Sequence, residues 1–478
     1  MIIKREFYID GKWVAPSVAR DLEVIDPATE EACAVISLGS PADVDKAVAA
    51  ARRAFGKWSA TPLAERVALL EKLLEIMKRR NADMGEAISL EMGAPIDFAI
   101  SGQATCGPWH LEGFLKALKD LHWEYPFTPK GERIVREPVG VCGLITPWNW
   151  PINQIALKVL PAIATGCTCV LKPSEIAPLS AIVFTEMMDE AGFPAGVYNM
   201  VNGDGIGVGS AMSAHPDIDM MSFTGSTRAG ILVSQASAPT IKRVTLELGG
   251  KSPNLVFADA DLDKAIRKGV THCMENTGQS CNAPTRMLVE RKVYDEAVDL
   301  AAKHGSAVKV GNPREHGDHI GPLVSQMQYD KVQELIEAGI GEGARVVIGG
   351  TGRPEGFNRG YFVRPTIFAD VNNSMRIARE EVFGPVLAMI PFEDEEEAIA
   401  IANDTPYGLA AYVQTGDAAK GERVARALRA GMVRINGAGL SMGHPFGGYK
   451  HSGIGREGGV FGIEDFLETK IISGLARN

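Results

Sequence analysis

The spacing of apolar residues along the chain changes at about residue 139. Before that point, residues 41–56 and 62–80 have the periodicity of amphipathic helices, and two further helices are predicted up to about residue 120. Residues 7–14 predict a β-hairpin on an Asp-Gly turn. Residues 121–130, which are rich in aromatic side chains and proline, predict the start of an extended arm.

Beyond residue 139, short β-rich segments alternate with helices, and this alternation indicates parallel sheets with crossover helices. The first series consists of strand 141–146, helix 152–164, strand 168–171, helix 179–191, strand 197–200, helix 205–213, strand 218–223, helix 226–236 and strand 243–246. The second series consists of strand 254–257, helix 261–275, strand 286–290, helices 293–306 and 327–340, strand 345–348, strand 386–391, helix 394–403, strand 410–414, helix 417–429 and strand 432–436. We therefore predict two α/β lobes that join near Gly249 and Gly250.

The composition is that of an ordinary globular protein. The 478 residues are 45% hydrophobic and 23% charged, with a net charge of −10. The acidic balance argues against nucleic-acid binding, and the absence of any run of about 18 apolar residues argues against a membrane-spanning helix. The N-terminus lacks the apolar core of a signal peptide, and the 7 cysteines show no metal-binding spacing. We expect a cytoplasmic protein without a metal site.

Cys281 lies in the segment Thr277–Arg286, in which small and polar residues with one glycine and one proline predict a turn. A cysteine on a turn can reach a substrate, and its thiolate is a nucleophile. The alternative is an inert buried thiol, which is the commoner state of a free cysteine.

Two polar residues follow predicted strands of the first lobe. Glu247 stands at the carboxyl end of a strand, where ligands bind in doubly wound sheets, and could act as a general base. The alternative for Glu247 is a solvated residue at the end of a strand. Asn149 also follows a strand and could donate an N–H to an oxyanion, the alternative being a helix N-cap.

Three further segments are typical of contacts to a nucleotide. Lys172 and Glu175 could hold the hydroxyls of a ribose, and an acid there disfavours the 2′-phosphate of NADP. Residues 223–227 could hold a pyrophosphate at the start of a helix. Glu381 and Phe383 would share one side of an extended chain and could contact a ribose and a nicotinamide ring. The alternatives are a surface turn for the first segment and a polar strand edge with a core phenylalanine for the last.

Together these motifs resemble the aldehyde dehydrogenase superfamily over essentially the whole chain. The most specific pair is Leu-Glu-Leu-Gly-Gly-Lys-Ser-Pro around Glu247 and Gly-Gln-Ser-Cys ending at Cys281. The resemblance implies that Cys281 attacks an aldehyde carbon, and that Asn149 and the backbone N–H of Cys281 hold the oxyanion. Glu247 would then activate the water that hydrolyses a thioester. The implied cofactor is NAD, with NADP as an alternative, and its implied contacts are Thr146, Trp148, Lys172, Glu175, Gly209, Gly225, Ser226, Glu381 and Phe383.

The same resemblance implies an α/β fold with a Rossmann-like NAD-binding domain, an α/β catalytic domain and a small β arm. The cofactor-binding domain would comprise residues 1–120 and 139–250, and the catalytic domain residues 251–445. Residues 121–138 and 463–478 would form the arm, through which the protein makes a homodimer or homotetramer.

A set of residues with helical spacing predicts the substrate site. One face of the helix after Asn149 would present Trp150, Asn153, Gln154 and Leu157. By resemblance this face lines an aldehyde tunnel, together with Ser280, Asn282, Leu440 and Phe446. A partly solvated face is the alternative for Asn153 and Gln154. The mixture of aromatic and polar groups favours a medium-sized aldehyde, aromatic or aliphatic. Arg286 and His444 have no assigned role in this site.

Other functions stay open. In a CoA-acylating semialdehyde dehydrogenase a thiol would take over from water, whereas the intact motif at Glu247 favours water. A non-catalytic structural relative would keep the fold, although both Cys281 and Glu247 are present. A metalloenzyme would need His, Cys and acidic residues at ligand spacing, which the sequence lacks.

Overall fold

The computed structural model describes residues 1–129 and 131–474. Lys130 and residues 475–478, which belong to the predicted arm segments, lie outside the described residues. The strands are β1 (Ile2–Lys4), β2 (Phe7–Ile9), β3 (Lys12–Val14), β4 (Asp21–Asp26), β5 (Glu31–Ser37), β6 (Glu124–Pro126), β7 (Arg133–Pro138), β8 (Val141–Ile145), β9 (Thr168–Lys172), β10 (Tyr198–Met200), β11 (Met220–Thr224), β12 (Arg243–Glu247), β13 (Pro253–Val256), β14 (Arg286–Glu290), β15 (Arg345–Ile348), β16 (Thr366–Ala369), β17 (Val386–Phe392), β18 (Ala410–Gln414), β19 (Met432–Ile435), β20 (Gly453–Ile454) and β21 (Leu467–Ile472). The α-helices are α1 (Pro41–Ser59), α2 (Leu63–Arg79), α3 (Asn81–Met92), α4 (Ile96–Phe98), α5 (Cys106–Asp120), α6 (Pro151–Thr165), α7 (Leu179–Ala191), α8 (Ser210–Ala214), α9 (Thr227–Ser237), α10 (Leu262–Met274), α11 (Tyr294–Ser306), α12 (Gln326–Gly341), α13 (Arg376–Arg379), α14 (Glu395–Asn403), α15 (Ala418–Ala427) and α16 (Gly459–Glu464).

The first large sheet has eight strands in the order β20-β12-β11-β8-β9-β10-β2-β3. Its five central strands, β12 to β10, are parallel, and all but the first half of β12 are buried because helices cover both faces. In the register of these strands Thr224 pairs with Glu247, and Phe223 with Ile145. The carboxyl ends of β8, β11 and β12 therefore meet at one edge of the sheet.

The second large sheet has seven strands in the order β15-β16-β17-β14-β13-β18-β19, all parallel to their neighbours except β15. The chain passes from the carboxyl end of β12 to the amino end of β13 through residues 248–252. The loop that contains Cys281 leads into the amino end of β14, the neighbour of β13. This short crossing brings the carboxyl edge of the first sheet against the amino edge of the second.

Two small sheets complete the fold. β4 and β5 form an antiparallel pair to which β1 adds in parallel, and β21, β7 and β6 form an antiparallel sheet. Strands β1, β4, β5, β16 and β20 were not predicted from the sequence. Residues 205–213 were predicted as one helix, but residues 205–209 form a π-type turn and only Ser210–Ala214 is α-helical.

Local sequence explains two features that matter later. The predicted hairpin is confirmed, since Asp10 and Gly11 both have positive φ, at 55° and 73°, as a two-residue hairpin turn requires. Helix α6 is buried at every position except Asn153, because it lies within the largest hydrophobic core cluster. A helix that is apolar nearly all round is typical of such a position.

Candidate active site

A cavity of about 160 Å³ opens where the two large sheets meet. It brings together nine of the predicted site residues, namely Trp148, Asn149, Gln154, Gly225, Ser226, Glu247, Cys281, Glu381 and Phe383. Thr224, from the predicted pyrophosphate segment 223–227, also lines it, and the lining residues that were not predicted are Pro147, Leu248, Gly249 and Lys331. The cavity thus joins the carboxyl ends of β8, β11 and β12 to the loop before β14.

The loop that carries Cys281 is held by hydrogen bonds on both sides of the cysteine. Asn149 Nδ2 donates to the carbonyl oxygen of Gln279 at 3.0 Å, and Trp150 Nε1 donates to Ser280 Oγ at 2.9 Å. On the far side, the Tyr412 hydroxyl donates to the carbonyl oxygen of Asn282 at 2.9 Å. Cys281 is only partly buried, so the predicted turn presents its thiol from a fixed backbone.

The turn before the cysteine depends on a glycine. Gly278 has φ of +70°, and a side chain there would collide with the backbone carbonyl of Gly384. Asn276 and Thr277 also have positive φ. Such a backbone is strained for residues with a Cβ, and strain of this kind is concentrated at functional sites.

Glu247 is 3% exposed, and neither of its carboxyl oxygens has a hydrogen-bond partner among the described residues. Burial raises the pKa of Glu247 well above its usual value, and the carboxyl groups of Glu457 and Glu381 add to this effect. The ammonium of Lys158 and the nearby Cys281 thiol act in the opposite direction. A buried, unpartnered carboxyl group is free to bind a water molecule.

The same surroundings also shift the pKa of the Cys281 thiol. Burial, followed by the negative charges of Glu247, Glu381 and Glu457, raises the pKa of the thiol well above its usual value. A positive charge placed in the cavity would favour both the thiolate and the carboxylate. A bound cation would therefore lower the pKa of both groups.

The residues at the sheet edge fit a dinucleotide. The hydroxyls of Thr146 and Thr224 are buried at the ends of β8 and β11 and have no hydrogen-bond partner within residues 1–129 and 131–474. Ser226, which lines the cavity, is the N-cap of α9, and the N-terminus of a helix is suited to binding phosphate. A side chain at Gly249 would collide with the carboxyl group of Glu381, so the glycine keeps that group accessible.

A second group of predicted cofactor residues lies beside β9. Lys172 Nζ is 3.1 Å from Glu175 Oε2, and a Cβ added at Gly209 would be 3.9 Å from Lys172 Cδ. These three residues are neighbours, but they do not line the cavity with Cys281. A long ligand such as a dinucleotide could have one end at these three residues and the other end in the cavity with Cys281.

The geometry of Glu381 and Phe383 differs from the prediction. Both line the cavity, but Phe383 has φ of +57°, so the segment is not the extended chain that was expected. The Phe383 ring instead packs edge-to-face on Trp148, with centroids 5.4 Å apart. Gln328 Nε2 donates to the carbonyl oxygens of Val382 and Phe383 and supports this conformation.

The predicted substrate residues have several environments. Gln154 lines the cavity, and Phe446 packs with Cys281 against one small apolar cluster. Asn153 accepts a hydrogen bond from His110, and Leu440 is exposed. Leu157 is 3% exposed in the core and does not reach the cavity.

Arg286, which had no place in the predicted site, is structural. Its guanidinium is fully buried and donates to the backbone carbonyls of Lys251, Ile401 and Ala402 and to Asn373 Oδ1. It therefore binds no substrate.

Some functional groups had no sequence signal. Lys331 reaches the cavity from α12, on which the sequence shows only an ordinary amphipathic pattern. Lys158 forms a buried ion pair with Glu457, about 300 residues away, and both act on the pKa of Glu247. In the part of the chain that the structure describes, no cluster of three or more His, Cys, Asp or Glu side chains could hold a metal ion. No helix within residues 1–129 and 131–474 is both long and apolar enough to cross a membrane.

Known proteins resemble this chain over almost its whole length. The model of the Aldehyde dehydrogenase family matches residues 13–472. A 3-succinoylsemialdehyde-pyridine dehydrogenase from a Pseudomonas species is 54% identical over 471 residues, which cover 98% of each chain. The crystal structure of an aldehyde dehydrogenase from Bartonella henselae is 56% identical, with a TM-score of 0.98 and coverage of 99% of this chain and 100% of that one. A mutant of aldehyde dehydrogenase C from Pseudomonas syringae, in complex with NAD+ and octanal, is 50% identical, with a TM-score of 0.98 and coverage of 99% and 97%. The predicted family and fold are thereby confirmed: the chain belongs to the aldehyde dehydrogenase family.

Proposed function

We propose that the protein oxidises an aldehyde to the carboxylic acid with NAD+, and that the acyl group passes through a thioester on Cys281. The observation that supports this most is that Cys281, Glu247 and Asn149 line one cavity. A thiol nucleophile, an amide donor and a carboxyl group with free oxygens are the groups that acyl transfer to water requires.

The reaction begins with the thiol of Cys281, which lines the same cavity as Glu247, and the carboxylate of Glu247 takes its proton. The thiolate adds to the aldehyde carbon, and negative charge develops on the aldehyde oxygen. Asn149 Nδ2 has a second hydrogen beyond the one given to Gln279, and donates it to this oxygen with the backbone N–H of Cys281. NAD+, when bound, supplies the acceptor for the hydride that leaves the carbon, and a thioester remains on the sulfur.

Hydrolysis of the thioester then falls to Glu247, after the proton taken from the thiol has passed from its carboxyl group to solvent. Its free carboxyl oxygens take a proton from a water molecule, which attacks the thioester carbonyl carbon. The C–S bond breaks, the acid leaves and the sulfur of Cys281 is free again. The buried ion pair of Lys158 and Glu457 lies near enough to act on Glu247: the carboxylate of Glu457 raises the pKa of Glu247, and the ammonium of Lys158 opposes this effect.

NAD+ is proposed over NADP+ because Glu175 places a carboxylate beside Lys172, where it would repel a 2′-phosphate. The relative from Pseudomonas syringae contains NAD+, which supports the same choice. Water is proposed over CoA as the final acceptor, since the free carboxyl oxygens of Glu247 suit proton abstraction from water.

The proposed substrate is a medium-sized aldehyde, aromatic or aliphatic. The Pseudomonas relative is named for a pyridine that carries a succinoyl semialdehyde, and the structural relative holds octanal. Rings of Trp150 and Phe446 near Cys281 suit an apolar tail.

We further propose the three predicted domains, with residues 121–138 and 463–478 as the arm of a cytoplasmic homodimer or homotetramer. The supporting observation is the antiparallel sheet of β6, β7 and β21, on which Phe127 and Ile471 expose more than half of their side chains. An exposed apolar sheet edge is suited to pairing with a second copy. Analytical sedimentation of the wild type and of Ile471→Asp measures the mass of the assembly. We expect a smaller assembly for the variant, and an unchanged mass would exclude the arm as the oligomer interface.

The activity is tested by NADH formation across aromatic, aliphatic, amino- and semialdehydes, repeated with NADP+ and with added CoA. We expect NADH and a free acid, with faster turnover on NAD+ than on NADP+. Products are identified by mass spectrometry, because an acyl-CoA product would replace the hydrolytic assignment. A protein that forms no NADH with any of these aldehydes would overturn the proposal.

A further inference from the structure

Gln103 makes a hydrogen bond to the loop that leads to Cys281. It is the last residue of the π-type turn Ala99–Gln103, which lies between helices α4 and α5, and none of its surface is exposed. Its Nε2 donates to Asn276 Oδ1 at 2.8 Å, although 173 positions of sequence separate the two residues. Turns of this type are rare and are often found at functional sites. The hydrogen bond therefore connects such a turn to the segment that carries the proposed nucleophile.

The side chain of Asn276 makes several contacts within that loop. Its Nδ2 donates to two backbone carbonyl oxygens, that of Asn149 at 2.9 Å and that of Gln279 at 3.2 Å. Because both acceptors are oxygens, the amide nitrogen of Asn276 must face them and its amide oxygen must face Gln103. Asn276 is buried, so without the N–H of Gln103 its oxygen would be a buried acceptor with no partner among the described residues.

These contacts extend to both of the proposed oxyanion donors. The side chain of Asn149 donates to the carbonyl oxygen of Gln279 at 3.0 Å, so this oxygen accepts from two amide groups. Asn276 thus contacts the backbone of Asn149 and also the carbonyl group to which the Asn149 side chain donates. Gln279 lies two residues before Cys281, whose backbone N–H is the second proposed donor. The separation of the two donors therefore depends on the position of Asn276.

The backbone of the loop is strained at the same point. Asn276 and Thr277 have φ of 54° and 57°, a left-handed conformation that is unfavourable for a β-branched residue such as threonine. Strained residues keep such a conformation only when the surrounding structure holds them. The hydroxyl of Thr277 donates to the carbonyl oxygen of Gly321 at 3.1 Å, and Gln103 holds the side chain of Asn276. Loss of the contact with Gln103 would therefore allow this segment to relax and the oxyanion donors to shift.

We propose that Gln103 is a positioning residue of the oxyanion site: through Asn276 it holds the amide of Asn149 and the backbone N–H of Cys281 at the separation that the aldehyde oxygen requires. Gln103 is absent from the lining of the cavity, so it acts through Asn276 and not on the aldehyde itself. The inference rests on the proposed function, since it concerns the oxyanion that forms in the same reaction.

The test replaces Gln103 by Met, which keeps the length of the side chain and removes the donor, and compares two reactions of Cys281. The first is a single turnover of NADH formation, with enzyme in excess over an aldehyde that the wild type oxidises. The second is alkylation by iodoacetamide, which displaces iodide and forms no oxyanion. Gln103→Met should slow the single turnover about tenfold, less than the roughly 10²–10³-fold cost of removing an oxyanion donor itself. The rate of alkylation, followed by mass spectrometry of the Cys281 peptide, and the KM for NAD+ should stay unchanged.

Two further variants separate positioning from stability. In Gln103→Glu a protonated carboxyl group can still donate to Asn276 Oδ1, and burial favours this form, as it does at Glu91, whose pKa is about 7. Relative to the wild type at each pH, this variant should recover the single-turnover rate at low pH and lose it as the pH rises, because a carboxylate cannot donate. Asn199→Leu removes a buried amide elsewhere in the fold and should keep the wild-type rate despite its lower stability.

Three results would overturn the inference. A single-turnover rate of Gln103→Met equal to that of the wild type would show that Gln103 does not position the donors. Equal losses in NADH formation and in alkylation would show that Gln103 supports the whole loop rather than the oxyanion site. A Gln103→Glu enzyme as slow as Gln103→Met at every pH would show that the hydrogen bond is not the cause. Failure of the proposed function appears differently, as no NADH from the wild type with any aldehyde.

Discussion

Replacement of Glu247 by Gln separates the two halves of the proposed reaction. The amide keeps the shape of the carboxyl group, and the carboxyl oxygens of Glu247 have no hydrogen-bond partner among the described residues. The change therefore leaves the free energy of unfolding within about 1 kcal/mol of the wild type. Addition of the thiol and loss of the hydride remain, but the water loses its base.

The expected cost follows from the role of a positioned base. Its loss lowers the rate of hydrolysis about 10²–10⁴-fold, which is roughly 2.7–5.5 kcal/mol in the activation barrier. Rapid mixing with NAD+ and an aldehyde should give a burst of NADH equal to the active sites, followed by slow turnover. Glu396→Gln, an exposed carboxylate, is the matched control and should behave as the wild type. A Glu247→Gln enzyme with an undiminished steady rate would remove Glu247 from hydrolysis.

Four other changes have defined outcomes. Cys281→Ala should abolish oxidation and leave NAD+ binding, measured by calorimetry, nearly intact; residual activity near wild type would refute the nucleophile. Burial raises the pKa of Glu91 to about 7 from an ordinary 4.5, so its proton stabilises the fold fully below about pH 4.5 and this stability is lost as the pH rises through about 7. Denaturant titrations at several pH values should show the free energy of unfolding falling as the pH rises through this range, and Glu91→Gln should reduce this pH dependence. Arg286→Met, which leaves buried carbonyls unpartnered, should lower the free energy of unfolding by about 4 kcal/mol; a loss below about 1 kcal/mol would contradict the buried network. Tyr412→Phe should lower kcat more than KM, because the Cys281 loop loses the hydrogen bond at Asn282. Kinetic constants equal to those of the wild type would show that this hydrogen bond does not contribute to catalysis.

The large sheets could be predicted from the sequence because their strands are parallel and buried on both faces. Such strands are short, continuous apolar segments between amphipathic helices, as β8, β11 and β14 are. β20 has only two residues in a glycine-rich segment, and β5 is buried along one end rather than in alternation. Neither strand can be predicted from its local sequence pattern, because each is a strand only through its pairing with distant parts of the chain.

The site was predictable to the extent that its residues stand at strand ends or in a recognisable motif. Glu247 and Cys281 were found this way, although the sequence alone does not bring them to one cavity. Lys331 and Glu457 reach the site from elements whose local pattern is unremarkable for helix or loop, so only the packing of the lobes places them there. Leu157 was predicted as a substrate residue because helical spacing places it on the same face as Gln154, but it is buried in the core.

Strand β20 has a consequence for how the enzyme is made. Gly453 and Ile454 pair with Glu247 and Leu246, and the hydroxyl of Ser452 donates to the carbonyl oxygen of Gly249 at 2.7 Å. These contacts come from a segment that the ribosome synthesises about 200 residues after Glu247. A nascent chain that ends before this segment thus has a thiol and a base whose surroundings are incomplete, and it gains turnover only once the later segment has folded back.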